Sequence, residues 1–200
     1  TTITAADLDV ARAAGTGIIL ATGSRPVTRF DPAIALDALA ALSGAPLPDG
    51  PVVVQDPVGG PVGVAVAEWL AGAGRQVAIV SPDQVIGTQL SLTGDLADAN
   101  VRLQRAGVSR ERRALLREAG AGTALLEDAW TGEQRRIPCA VLIDCGHRLP
   151  EEELYQHLPG TVRAGDCVAP RSVHEAVLEG RRAALAVMKS HPARGASPCP

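Results

Sequence analysis

Four short segments of the chain are continuously apolar, and each is bounded by glycine, proline or polar residues. They lie at residues 17–21, 51–54, 76–80 and 139–143. Apolar runs without alternation are typical of strands covered on both faces, as in parallel sheets. The pattern therefore predicts an α/β fold built on a parallel sheet.

A segment with the apolar spacing of a helix lies between the second and third of these runs. Residues 62–73 carry apolar side chains at helical spacing and are followed by Gly74. Strand, loop, helix, glycine and strand form a βαβ unit of the usual size, about 30 residues. Residues 43–50 are rich in proline and glycine, and we interpret them as a crossing between domains.

The second half of the chain carries three further patterns. Residues 110–119 show the spacing of a charged amphipathic helix. Two short runs, 123–126 and 135–138, flank a turn signal and predict a β-hairpin. The residues from Ser172 to Glu175 have the spacing of a capping box, which predicts a helix that runs to about Lys189.

Arginines are concentrated in the first of these segments. They alternate there with glutamates, and such a pattern is typical of a solvated face. We interpret the cluster in that way. Its members are Arg110, Arg112, Arg113 and Arg117, with Glu111 and Glu118 between them.

Composition excludes several classes of protein. The 200 residues are 46% hydrophobic, which argues against disorder and allows one domain or two small ones. A net charge of -3, with no basic cluster interleaved with aromatic residues, argues against nucleic-acid binding. No apolar run approaches the length of a membrane span, and the N-terminus lacks the pattern of a signal peptide. We expect a cytoplasmic protein with no membrane partner.

The cysteines and the first residue add two expectations. The four cysteines include no pair separated by two residues, so we expect free thiols and no metal or cluster site within this chain. The sequence begins with Thr1 and not with methionine. We therefore expect that it was cut from something longer.

A glycine-rich loop follows the strand at 51–54. Dinucleotide-binding folds have G-x-G-x-x-G at this place, where the backbone approaches a pyrophosphate. Gly60 and Gly63 match the second and third glycines, whereas Val58 replaces the first. Asp56 would repel phosphate, and no acidic residue ends the next strand to bind a ribose. Two alternatives stay open: a nucleotide bound at Asp56, Gly59, Gly60 and Gly63, or a degenerate domain that keeps only the fold.

Two other strings lie outside the βαβ unit. A buried strand runs into Ala21-Thr22-Gly23-Ser24, and a second short strand runs into Gly165-Asp166. A carboxylate at the end of such a strand can accept hydrogen bonds from ligand hydroxyls, and a following helix N-terminus favours negative charge.

In this order, the two strings and the unit between them resemble the flavoproteins with two dinucleotide-binding domains. Further segments narrow the resemblance to the trimethylamine dehydrogenase branch, beside 2,4-dienoyl-CoA reductase, in the larger old-yellow-enzyme-like group. The resemblance spans residues 3–188. The segments that carry it are Ala21-Thr22-Gly23, Asp56, Ala67-Glu68-Trp69-Leu70-Ala71, Val77-Ala78-Ile79-Val80-Ser81, Leu142-Ile143-Asp144-Cys145-Gly146-His147-Arg148 and Gly165-Asp166-Cys167-Val168-Ala169-Pro170-Arg171.

The resemblance implies a Rossmann-like nucleotide-binding domain, with a parallel sheet, inserted into an incomplete FAD-binding domain of the glutathione-reductase type. We expect the first part of the FAD-type domain at 1–45, the inserted domain at 46–146, the return to the FAD-type domain at 147–190, and a disordered tail at 191–200. The order of elements in this group implies strand over residues 110–119. We give that order more weight than the helical pattern.

The resemblance also implies cofactors. The aspartate of the second string contacts the ribityl chain of FAD in this group, which implies a partial FAD site at Thr22, Gly23, Gly165 and Asp166. The inserted domain would hold ADP, as a relic, or NAD(P), and the broken fingerprint favours the relic. FMN on a β/α barrel, a 4Fe-4S cluster and the other half of the FAD site would belong to a part N-terminal to this sequence.

We therefore expect the C-terminal nucleotide-binding portion of a flavin- and iron–sulfur-dependent oxidoreductase that acts on an amine or an enoyl-type substrate. Its partners would be the FMN barrel and the FAD half-domain of the same polypeptide or of a partner subunit. This chain alone would be inactive, and a homo-oligomer is compatible with the sequence. The alternative is a stand-alone, non-catalytic nucleotide-binding or structural subunit that assembles with separate flavin subunits.

Overall fold

The computed structural model describes residues 3–27, 29–120 and 122–190. These residues form two compact units. The flanking unit combines residues 3–26 and 148–190, and the middle unit runs from 27 to 147. One unit is thus inserted into the other along the chain. The tail at 191–200, which we expected to be disordered, lies outside the described residues.

The described residues form helices and strands in the following order along the chain. The helices are α1 Ala5–Ala13, α2 Ala38–Leu42, α3 Pro61–Gly72, α4 Leu96–Arg105, α5 Glu153–His157 and α6 Val173–Ser190. The strands are β1 Ile19–Leu20, β2 Ser24–Pro26, β3 Ala35–Asp37, β4 Val52–Gln55, β5 Val77–Val80, β6 Ser109–Glu111, β7 Ala114–Gly120, β8 Thr123–Asp128, β9 Gln134–Pro138, β10 Val141–Asp144, β11 Arg148–Pro150 and β12 Val162–Arg163.

The middle unit is built on a parallel sheet with the strand order β3-β10-β4-β5-β6. Strand β4 lies at the centre, with Val53 opposite Leu142 of β10 on one side and Ala78 of β5 on the other. All residues of β4 are buried. A strand covered on both faces needs apolar side chains at successive positions, which explains the run Val52-Val53-Val54. The predicted parallel sheet is confirmed.

Two apolar cores cover the two faces of this sheet. The first contains Val54 together with Leu70 of α3 and Leu103 of α4. The second contains Val53 together with Leu116 and Leu126 from the antiparallel meander β7-β8-β9. Successive residues of one strand therefore serve opposite layers, as the period of two requires.

The strand expected over residues 110–119 from the order of elements is confirmed, because β6 and most of β7 occupy this segment. The helical pattern there is misleading. In β7, Ala114 and Leu116 are buried against the sheet, whereas Arg117 and Glu118 are exposed. A register shift between Leu116 and Glu118 breaks the strand alternation, so the spacing of apolar residues imitates a helix. Pairing with β8 overrides the local pattern. The predicted hairpin of β8 and β9 is confirmed.

The first domain boundary differs from the expected one at 45/46. Strand β3 pairs in parallel with β10, from Ala35 opposite Leu142 to Asp37 opposite Asp144. Residues 27–45 therefore belong to the middle unit, and the proline- and glycine-rich segment 43–50 is a connection inside it. The second boundary, between 147 and 148, lies one residue from the expected position.

The flanking unit contains short strands and three helices. Strand β1 pairs in parallel with β12, and β2 pairs antiparallel with β11. Leu8, Leu20 and Leu158 form its small core. At the start of α6 the side chains of Ser172 and Glu175 are hydrogen-bonded, and the helix runs to Ser190, so the predicted terminal helix is confirmed. No helix among the described residues has the length and apolar character needed to cross a membrane.

Replacement of Leu70 by alanine is expected to destabilise the middle unit. The side chain is 1% exposed and packs α3 onto the sheet, so the change leaves a cavity that costs about 2–5 kcal/mol of unfolding free energy. Urea unfolding followed by circular dichroism measures it. Leu92→Ala serves as the matched control, since Leu92 is 87% exposed and the same truncation should cost within about 0.5 kcal/mol. Equal losses in the two variants would contradict the packing described.

Candidate functional site

The two strings at 21–24 and 165–166 meet in the flanking unit. Strands β1 and β12 are parallel neighbours, so the turns that follow them lie at the same edge. The hydroxyl of Ser24 donates a hydrogen bond to Oδ2 of Asp166 at 3.0 Å. Residues separated by more than a hundred positions are thereby brought into one place, as the sequence interpretation requires.

The turn after β1 is fixed by the segment after β11. The hydroxyl of Thr22 donates to the carbonyl oxygen of Glu151 at 2.7 Å, and the N–H of Glu151 donates to the carbonyl oxygen of Gly23 at 3.0 Å. The hydroxyl of Thr22 is therefore engaged in a hydrogen bond that stabilises the turn. A Cβ atom on Gly23 would have no neighbour within 4 Å among the described residues, so the space before this turn is open.

The turn after β12 presents a carboxylate. Gly165 has a φ of +77°, which favours glycine, and its N–H donates to Oε2 of Glu179 on α6 at 2.9 Å. Asp166 is half-buried. Its Oδ2 accepts the Ser24 hydrogen bond, whereas its Oδ1 has no hydrogen-bond partner among the described residues. This oxygen can accept hydrogen bonds from hydroxyl groups of a ligand.

Three residues of this site were missed by sequence reasoning. Arg148 donates to the Ser24 hydroxyl through Nε at 2.9 Å and to the Ser24 carbonyl through Nη2 at 2.8 Å, which orients the hydroxyl toward Asp166. Ser24 directly follows the Ala-Thr-Gly string, so its position was a usable signal. No sequence pattern marked Glu179 as a residue of this site, because only the packing of α6 brings it to Gly165.

The glycine-rich loop of the middle unit encloses an acidic side chain. Asp56 follows β4 and is only 1% exposed. Its Oδ1 accepts a hydrogen bond from the N–H of Gly59 at 2.9 Å, and the N–H groups of Val58 and Gly60 also face the carboxylate. The loop donors that would face a pyrophosphate in a dinucleotide fold thus face an internal carboxylate.

Burial dominates the electrostatics of Asp56. Desolvation raises its pKa to about 6, although the backbone N–H groups of the loop oppose the rise. The charge of Asp83 raises the pKa further. Oδ2 of Asp56 is buried without a hydrogen-bond partner among the described residues. An unpartnered buried oxygen favours the neutral carboxyl group.

The glycines of the loop make room for this protein's own side chains. Gly59 has a φ of +69°, and a Cβ there would collide with the Thr88 hydroxyl. A Cβ on Gly63 would stand 2.6 Å from Cβ of Asp56. Gly60 is more open, with Val58 Cγ1 at 3.8 Å from the position of a Cβ.

The segment at 83–89 covers this loop. The N–H of Gln89 donates to the carbonyl oxygen of Gly59 at 2.9 Å, and its side-chain amide donates to that of Val58 at 3.0 Å. The Thr88 hydroxyl in turn donates to Asp83. The residues present therefore do not fit a pyrophosphate bound in the Rossmann manner. The geometry favours the degenerate reading over nucleotide binding at Asp56, Gly59, Gly60 and Gly63.

The described cysteines are free and buried: Cys139, Cys145 and Cys167. Burial raises the pKa of the Cys139 and Cys145 thiols, and nearby carboxylates add to the rise at Cys145. Both thiols are therefore protonated packing groups. Within the described ranges, no three His, Cys, Asp or Glu side chains are grouped so that they could hold a metal ion.

The fold occurs in several solved structures, although no family model and no curated protein matches the sequence. Histamine dehydrogenase from Rhizobium sp. 4-9 gives a TM-score of 0.82 at 24% identity, over 98% of this chain and 34% of that one. An amine oxidase for 6-hydroxypseudooxynicotine from Pseudomonas geniculata N1 gives a TM-score of 0.81 at 22% identity, over 92% of this chain and 30% of that one. A 2-naphthoyl-CoA reductase gives a TM-score of 0.78 at 16% identity, over 98% of this chain and 29% of that one.

Smaller reductases share the fold as well. Thioredoxin reductase from T. acidophilum gives a TM-score of 0.66 at 15% identity, over 88% of this chain and 66% of that one. The chain spans about a third of the length of the first three structures. The expected fold class is confirmed, and the resemblance inferred from the sequence holds at the level of the fold.

Replacement of Asp56 by asparagine is expected to remove a pH-dependent loss of stability. The folded protein binds the Asp56 proton more tightly than the unfolded chain, because the pKa rises from 3.8 to about 6. Unfolding free energy should therefore fall as pH rises from about 4 to about 6, by no more than about 3 kcal/mol, and stay lower above that range. The variant lacks this contribution.

Urea unfolding of both proteins at about pH 4.5 and about pH 7.5 measures the effect. The variant should gain stability relative to the native protein at the higher pH. A stability difference that is the same at both pH values would contradict the buried, proton-binding state of Asp56.

Proposed function

We propose that this chain is the nucleotide-binding portion of a larger flavin-dependent oxidoreductase, in which the flanking unit completes a FAD site. The fold supports the proposal, because histamine dehydrogenase, the amine oxidase and the naphthoyl-CoA reductase contain it as about a third of their length. A flavoprotein disulfide reductase from Escherichia coli shares it too, with a TM-score of 0.62.

The observation that carries the proposal is the unpartnered Oδ1 of Asp166 beside the open turn at Gly23. Hydroxyl groups of a ribityl chain can donate to this oxygen, and neither Gly23 nor Gly165 presents a side chain that would obstruct the approach. Ser24 and Arg148 hold the carboxylate in place. The residues present fit one side of a FAD molecule. Bound FAD would supply redox chemistry, and this chain would supply binding and orientation.

In this proposal the middle unit does not bind a reducing dinucleotide at its glycine loop. The buried carboxylate of Asp56 takes the N–H groups that a pyrophosphate needs. Electrons then come from a substrate that the enzyme oxidises, such as an amine, in preference to NAD(P)H at this loop. The substrate site, with FMN and a 4Fe-4S cluster, would lie in another part of the same polypeptide or in a partner subunit, and this chain alone would be inactive.

Replacement of Asp166 by asparagine is expected to weaken FAD retention in the longer polypeptide of the proposal. The amide keeps an acceptor for Ser24 but loses the charged acceptor for the ribityl hydroxyls. A charge-assisted hydrogen bond contributes about 1.5–3 kcal/mol, so retention should fall about 10- to 100-fold. Equilibrium dialysis with flavin absorbance measures it. Asp9→Asn is the control, since it removes a carboxylate of the same unit that is paired with His157 instead.

The 200-residue chain by itself should purify without flavin colour, because it holds one side of the site. FAD bound tightly by this chain alone, or equally by both aspartate variants, would contradict the proposal. A start codon directly before Thr1 would favour the alternative, a stand-alone subunit that assembles with separate flavin subunits. Oxidation of amines and reduction of enoyl-CoA esters by the longer protein would then separate the two substrate classes.

A further inference from the structure

A second concave surface lies in the middle unit, and we name it the arginine pocket. It has a volume of about 460 Å³, within the range of small-molecule sites. Strand β6, the turn into β7, the turn after β8 and strand β9 supply most of its lining, and Gln84, which follows β5, completes it. Its charged and aromatic lining residues are Arg110, Glu111, Arg112, Arg113, Trp130 and Arg135.

Positive charge in this pocket exceeds what its acidic neighbours neutralise. Arg135 is paired with Glu111, and Arg113 lies 3.5 Å from Asp128. Arg112 has no hydrogen bond or ion pair among the described residues. The lining thus has four arginines against one glutamate in a chain whose net charge is -3. Like charges held together repel each other unless an anion lies between them.

The position of Arg113 is set by the backbone. Its φ is +53°, and every other described residue with a positive φ is a glycine. Its N–H donates to the carbonyl oxygen of Asp83 at 2.8 Å, and its carbonyl oxygen accepts from Ala129 at 2.7 Å. An arginine in the left-handed region is strained, and such strain is concentrated at functional sites. The turn therefore fixes the backbone of Arg113 before any ligand arrives, and its side chain lines the pocket.

Trp130 adds an aromatic surface. The guanidinium of Arg113 lies 4.7 Å from the centre of its ring, yet the tryptophan is 63% exposed. An exposed indole next to a guanidinium is costly in water and useful in a site, because it can stack on a planar group. Nothing in the fold core requires Trp130 at this turn.

We propose that the arginine pocket binds an oligophosphate, either inorganic or part of a nucleotide. Guanidinium groups match phosphate oxygens in bidentate geometry, and several negative charges on one small ligand complement several arginines better than a single carboxylate does. The proposal thus gives a ligand to Arg110, Arg112 and Arg113 of the cluster interpreted above as a solvated face. Arg117 stays outside, since it is paired with Glu127 at 2.6 Å.

The test uses the fluorescence of Trp130. The chain has two tryptophans, so Trp69→Phe leaves Trp130 as the single reporter. Triphosphate, pyrophosphate, ADP and ATP are titrated at low salt, with calorimetry as a second readout. We expect saturable binding that weakens as salt increases. Stronger quenching by ADP than by pyrophosphate would identify a nucleotide as the source of the phosphate, and equal responses would identify an inorganic oligophosphate.

Two variants locate the site. Asparagine tolerates the left-handed region, so Arg113→Asn removes the guanidinium and keeps the turn. Arg112→Gln removes a charge without touching Trp130. Each should weaken triphosphate binding about 3- to 10-fold, an estimate reduced for solvent screening. Arg136→Gln is the matched control. Arg136 neighbours Arg135 on β9, and the side chains of the two residues are 55% and 52% exposed, respectively. Arg136 is paired with Glu118 outside the pocket.

A further variant separates the pocket from the glycine loop. Gly60→Ala places a methyl group where a pyrophosphate would approach the loop, in space that accommodates it. Binding should be unchanged in this variant and in Arg136→Gln. The proposal is overturned by a loss of binding in Gly60→Ala, by equal losses in the arginine variants and the control, by an acidic peptide that binds more tightly than triphosphate, or by no binding at low salt. Thermal melting verifies that each variant is folded.

Discussion

The pairing of β10 with β4 is the interaction on which the middle unit depends. The chain leaves the sheet after β6, forms the meander β7-β8-β9, and returns between β3 and β4. Leu142 of the returning strand is fully buried. The return also closes the unit, since the N–H of Val27 donates to the carbonyl oxygen of His147 at 3.3 Å. An insertion whose two ends meet can interrupt another domain without separating that domain's two halves.

In the loop after β4, an internal carboxylate faces the N–H groups that face a pyrophosphate in dinucleotide-binding folds. Gly63 allows α3 to approach the strand loop closely, which is a packing role that dinucleotide folds also use. The space gained is filled here by Asp56 and not by a phosphate. A carboxylate in that position satisfies the loop N–H groups, but one of its oxygens is left buried and unpartnered. Burial raises the pKa of Asp56, so this carboxyl group can become neutral instead of remaining a buried charge.

Charge is distributed over the middle unit according to the strand register. Arg135 and Arg136 are neighbours on β9, so their side chains lie on opposite faces, and each is paired with a different glutamate. The four arginines of the pocket are brought together by β6, by the tight turn at Arg113 and by β9, from positions up to 25 residues apart. A linear pattern of alternating charge cannot show this, because it does not record which residues face the same cavity.

The sequence by itself determined the elements whose side chains follow one local rule. Continuous apolar runs identified β4, β5 and β10, and helical spacing identified α3. The strings Ala21-Thr22-Gly23 and Gly165-Asp166 predicted two turns that the structure brings together in the flanking unit. Only the tertiary structure decided the rest. Residues 114–120 form a strand because they pair with β8. The first boundary lies at residue 27 because β3 pairs with β10. Glu179 reaches Gly165 because α6 packs beside it. Each of these depends on a partner distant in the chain, and local patterns contain no information on distant partners.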